Sequence, residues 1–159
     1  MSSERILARI DTAPLRSAEL ERFVAVPASG GIAVFTGVVR DHHHGRAVLR
    51  IEYAAVAPLA QAKLAEVAAE ALRDPEIQRV AAVHRVGLLD VGEASVIVAA
   101  SAAHRDDAFR AARYLIDRIK ETLPVWKREH FADGTAEWAE GFTIPAADRA
   151  RGALRAEVR

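Results

Sequence analysis

Apolar and polar positions along the chain follow two periods, and each period marks a different kind of element. Residues 58–73 carry Ala60, Leu64, Val67, Ala68, Ala71 and Leu72 at spacings that form one stripe of an amphipathic helix. Residues 105–123 do the same with Phe109, Ala112, Ile116, Ile119 and Leu123, which predicts a second long helix. A shorter helix is expected from 17 to about 26, capped by Ser17. The segments 5–10, 32–40, 47–54, 80–86 and 95–101 read instead as strands. Gly30-Gly31 breaks the chain before the second of these, and Asp41-His-His-His-Gly45 reads as a polar loop. Gly87 to Gly92 joins two further strands, Asp74-Pro75 ends the first long helix, and 125–138 predicts a hairpin turning at Asp133-Gly134. Helices mixed with hairpin-like strand pairs favour an α+β fold over a doubly wound parallel sheet.

With 159 residues, 51% of them hydrophobic and 28% charged, the chain suits one domain with a real core. That domain is expected over residues 1–140, with 141–159 an Ala- and Arg-rich tail that frays. The 22 basic and 22 acidic side chains cancel, so no global field favours nucleic acid or an anionic membrane. An anion site must then be a local gathering of charge. The chain has no cysteine, which excludes disulfides, thiolate metal sites and a protein-bound persulfide. Its first residues lack the apolar centre of a signal peptide, and a cytoplasmic protein is expected.

The densest chemistry lies in Lys120-Glu-Thr-Leu-Pro124-Val-Trp126-Lys127-Arg128-Glu129. Pro124 must end the helix, because it lacks an amide donor and restricts the residue before it. The chain then doubles back and returns Lys127 towards Lys120. Two amines held close repel and burial disfavours charge, which is how proteins make a lysine an acid, base or nucleophile. On a wheel of 3.6 residues per turn, Lys120 falls roughly 60° from the centre of the apolar stripe. There it can bury its stem and face a cleft, or simply cover apolar surface. His104-Arg105 opens the same helix, where free amides and the positive helix end favour anions. Alternatively Ser101 caps that helix, Asp106 and Asp107 satisfy its dipole, and His104 is merely exposed. Arg40 closes a strand and offers a guanidinium. Three consecutive histidines, 42 to 44, lack partners at metal-ligand spacing and read as a solvated loop, so no metal and no cofactor is expected. His84-Arg85 is given no chemistry.

In order and spacing, several short segments resemble the large, catalytic subunit of molybdopterin synthase, over about residues 31–138. They are Phe35-Thr-Gly-Val-Val-Arg40, Glu52-Tyr53, His84-Arg-Val-Gly87, Ser101-Ala-Ala-His104-Arg105 with Ala108-Phe109, and Asp117-Arg-Ile-Lys120 leading into Pro124-Val-Trp-Lys-Arg-Glu129. The resemblance implies an α/β hammerhead fold with an antiparallel or mixed sheet. It also implies a homodimer that binds two copies of a small ubiquitin-like sulfur carrier, together a heterotetramer. The carrier's C-terminal Gly-Gly thiocarboxylate delivers sulfur to cyclic pyranopterin monophosphate (precursor Z), forming molybdopterin. Carried over by position, Lys120 and Lys127 are the catalytic lysines. Val38, Val39, Arg40, His104, Arg105, Lys120, Lys127, Arg128 and Glu129 fall on substrate-binding segments. A chain without thiols must be handed its sulfur by a partner, which agrees.

This chain departs from the family pattern twice. Val56 and Leu59 stand where another aromatic and a methionine usually follow Glu52-Tyr53. Gly141-Phe142 occupies the region where the family can supply an arginine across the dimer, with Arg149 and Arg151 further on. Two other functions compete: a non-catalytic carrier- or anion-binding adaptor of the same fold, and a nucleic-acid module. Both lysines argue against the first, and zero net charge with 6% aromatics argues against the second.

Overall fold

The computed structural model describes residues 4–139. Its elements are β1 (Ile6–Asp11), α1 (Ser17–Val24), β2 (Gly31–Val38), β3 (His42–His43), β4 (Arg46–Ala55), α2 (Ala57–Ala71), β5 (Ile77–Arg85), β6 (Gly87–Asp90), β7 (Ala94–Ala102), α3 (Arg105–Thr122), β8 (Val125–Phe131) and β9 (Ala136–Trp138). One sheet has the order β1-β5-β7-β2, parallel between β1 and β5 and antiparallel elsewhere. A second runs β3-β4-β8-β9, with β6 also pairing β4. This is the α+β architecture the periodicity predicts, with two long helices and the antiparallel and mixed sheets that the resemblance implies.

Period-two alternation explains why β7 is buried on both sides. Val96, Val98, Ala100 and Ala102 point to the core under α2 and α3, and Ile97 and Ala99 point to a smaller core under α1. Small side chains on both partners, Ala108, Ala111 and Ala112 against Ala100 and Ala102, let α3 lie close to the sheet. Leu64 and Leu115 are fully buried there, each contributing about 1.5–3 kcal/mol. Val39, Val48, Ile51, Leu89 and Phe131 form a third cluster that ties the end of β2 to the second sheet.

Four local expectations change. The stripe of α3 is Ala108, Ala111, Ala112, Leu115, Ile116 and Ile119, and Phe109 lies outside it with 67% of its surface exposed. Ser17 is the first helical residue, and Arg16 holds the cap position without a side-chain bond. The triple-histidine loop contains β3, folded against β4 by a tight turn in which His44 and Gly45 both have positive φ, 48° and 75°. Such a left-handed pair matches the twist of a two-residue hairpin. The linker from Gly87 contains β6, and Gly87 adopts φ 107° where the chain leaves the first sheet for the second.

Candidate active site

Gly31 opens β2 in contact with the start of α3: a Cβ on Gly31 would lie 3.1 Å from Arg105 Cα. From that corner α3 and β2 pack side by side in the same sense. Fifteen helical steps of about 1.5 Å carry α3 from Arg105 to Lys120, roughly 22 Å. Seven strand steps of about 3.3 Å carry β2 from Gly31 to Val38, roughly 23 Å. Lys120 therefore sits at the end where β2 delivers Val38 and Arg40, and His104-Arg105 sits at the opposite end.

At the Lys120 end, Leu123 caps α3 in extended conformation, its amide bonded to Ile119, and β8 starts at Val125. Lys120, Arg40 and Val38 are all exposed. Neither Lys120 nor Arg40 has an ion-pair partner among the described residues, which leaves both cations available to an anion. Val39 is inward, in the third core cluster, and its amide and carbonyl bond to Glu93 and Gly92. Only Val38 and Arg40 of that segment present side chains to solvent.

Alternation along β8 sends Lys127 and Glu129 to one face and Arg128 to the other, where Arg128 stands opposite Glu52. Glu129 is only 4% exposed. Its Oε2 lies 2.6 Å from His43 Nδ1 and its Oε1 lies 3.6 Å from Lys127 Nζ. Tyr53 faces Lys127 across the ladder, and burial pushes its phenol up, against the hydrogen bond to Ser95, with the charge of Glu129 adding to the rise. Tyr53 also meets His84 edge-on at 5.3 Å between ring centroids. Burial lowers His84 to about 4, although its Nδ1 donates to the Arg85 carbonyl at 2.8 Å.

At the opposite end His104 holds the cap position of α3 without a side-chain bond, and Arg105 is exposed with no ion-pair partner among the described residues. Ser101 does not cap the helix: it is fully buried in β7, where its Oγ accepts from the Arg79 amide. Of the departures, Val56 caps α2 and Leu59 is half exposed in its first turn. Gly141, Phe142, Arg149, Arg151 and the expected tail lie outside the described residues. Among the described residues no group of three His, Asp or Glu side chains is arranged to hold a metal ion. No described helix is long and apolar enough to cross a membrane.

Sequence reasoning missed His43, which it assigned to a solvated loop. The signal that finds it is the His44-Gly45 dipeptide ahead of a strand-like run, a hairpin turn that folds His43 back over β4.

A family model described as MoaE protein matches residues 10–122, well over half of the chain. The chain belongs to the MoaE family. The matched MoaE segment includes Val38, Arg40, His104, Arg105 and Lys120 and ends five residues before Lys127. A Nostoc protein named molybdopterin synthase catalytic subunit is 40% identical over 131 residues, which are 81% of this chain and 79% of that protein. A rice protein of the same name (Oryza sativa subsp. indica) is 45% identical over 113 residues, 71% of this chain. The match spans only 58% of the rice relative's length. The solved molybdopterin synthase of Staphylococcus aureus superimposes with a TM-score of 0.80 at 33% identity, covering 89% of this chain and all of that one.

Proposed function

We propose that this chain is the catalytic subunit of a molybdopterin synthase. It is a sulfurtransferase that converts cyclic pyranopterin monophosphate to molybdopterin in the cytoplasm. Sulfur arrives as the C-terminal thiocarboxylate of a small ubiquitin-like carrier subunit. The observation that carries this proposal is that two of the chain's three lysines flank the turn between α3 and β8. Lys120 is exposed and has no ion-pair partner among the described residues, and Lys127 lies beside the buried carboxylate of Glu129.

In this mechanism Lys120 donates and accepts the protons that move as the carrier's sulfur displaces an oxygen of the pterin side chain, and as water then cleaves the resulting thioester and releases the carrier as its carboxylate. Lys127, Arg40 and Arg105 hold the substrate phosphate and offset the charge on the thiocarboxylate. Each charge-assisted hydrogen bond contributes about 1.5–3 kcal/mol, and such electrostatic stabilisation is often the largest catalytic term. Val38, exposed two residues before Arg40, offers apolar contact at this end of β2.

Arg105 cannot reach Lys120 within one copy, and a homodimer resolves this. The edge strand β2 exposes Ile32, Val34, Phe35 and Val38, and Phe109 projects beside it. Two β2 edges paired antiparallel about a two-fold axis would set Gly31 of one copy against Val38 of the other. The partner's His104-Arg105 corner then meets the Lys120 end, completing two sites per dimer. With one carrier at each site, the assembly is a heterotetramer.

The test is a sulfur-transfer assay with the purified protein, precursor Z and a thiocarboxylated carrier, with molybdopterin followed as its fluorescent oxidised derivative. Product formation is expected. No product, despite a carrier shown to bind, would favour the adaptor function instead.

A further inference from the structure

We propose that His43 is a positioning residue for Lys127, acting through Glu129. The inference deepens the sulfurtransferase proposal and rests on it for its consequence in turnover. Its geometry is independent of that proposal. A carboxylate as buried as Glu129 needs partners, and among the described residues its side chain has two. The 2.6 Å approach of His43 Nδ1 is a short hydrogen bond, in which the ring N–H donates to Oε2. The 3.6 Å separation from Lys127 Nζ is an ion pair too long to be a hydrogen bond. His43 thus anchors the carboxylate on the side away from the lysine. Lys127 keeps a compensating charge nearby while its three N–H donors remain free for a ligand.

The hairpin fixes this arrangement. His43 pairs with Arg46 in register, the His44-Gly45 turn folds it back, and its ring packs on that of His44 at 4.1 Å between centroids. The other groups around Lys127 do not replace His43. Tyr53 on β4 is opposite Lys127, Arg128 and Glu52 occupy the other face of the sheet, and Lys120 belongs to the end of α3. If His43 is removed, Lys127 is the partner left to Glu129. The carboxylate then closes on the amine and ties up the donors that the substrate needs.

The experiment uses the intact chain and its three lysines, Lys63, Lys120 and Lys127, labelled by a trace acylating reagent and quantified residue by residue with mass spectrometry. His43→Ala is expected to slow labelling of Lys127 about tenfold, because a closed ion pair withholds the amine. His43→Gln, which keeps a donor, should restore it, and Glu129→Gln should speed it. Lys63, paired with Glu66 on α2, is the internal reference. A hairpin merely loosened by His43→Ala would expose Lys127 and speed its labelling. Unchanged or faster labelling in His43→Ala overturns the proposal. With carrier and precursor Z present, His43→Ala should lower kcat by about tenfold and leave KM for the carrier nearly unchanged. Absence of turnover by the wild-type chain would sink the sulfurtransferase proposal and leave the labelling result to decide the role of His43.

Discussion

Arg105 and Lys120 stand at the two ends of a single helix, roughly 22 Å apart by its rise of about 1.5 Å per residue. Both are exposed, and neither has an ion-pair partner among the described residues. Two unpaired cations that far apart cannot hold one small phosphate ester. A shared site needs a second copy of the chain, and this constraint yields two predictions.

The first is complementation. Lys120→Ala and Arg105→Ala should each be inactive as purified homodimers. Mixed one to one under conditions that exchange subunits, half of the dimers are hybrids, and each hybrid retains one intact site of two. About a quarter of wild-type sulfur transfer should return. A mixture as inactive as its components would place both residues in one subunit's site or in none.

The second concerns the interface. Phe109 is 67% exposed, so replacing it perturbs little of the core. Phe109→Glu should place a charge in the dimer contact, shift the protein to monomer in sedimentation velocity and abolish turnover together. A variant that stays dimeric and active would move the interface away from β2 and α3.

A third prediction follows from His84. Its folded value of about 4 lies below the ordinary 6.5, because burial penalises the imidazolium. As pH falls, the unfolded chain takes up this proton first. The contribution to stability is therefore complete above about pH 6.5 and is lost progressively between 6.5 and 4, on the order of 3 kcal/mol. Denaturant midpoints should fall across that window, and His84→Gln should flatten the fall. An equal slope in wild type and variant would contradict it.

The fold was legible where periodicity was strong. The stripe from Ala60 to Ala71 and the two-sided run of β7 announce the sandwich of helices on a sheet, and Pro124 and Asp133-Gly134 announce the turns at either end of β8. Phe109 was misjudged because helical spacing cannot distinguish a core face from one left open at a sheet edge. β3 and β6 escaped notice because strands of two and four residues carry too little pattern, and their pairing with β4 depends on positive-φ turns at His44-Gly45 and Gly87. In the candidate site, Lys120 and Lys127 were recognisable from their proline-separated spacing. The His43 bond to Glu129 was not, because it joins residues 86 positions apart through a third strand.

The central claim is that Lys120 carries the proton chemistry of sulfur transfer. The direct measurement is the single-turnover rate of molybdopterin formation by Lys120→Ala, with carrier affinity and thermal unfolding recorded on the same preparation. A loss of about 10²–10⁴-fold in rate, with carrier binding and unfolding temperature unchanged, is predicted. Turnover at the wild-type rate would contradict the assignment.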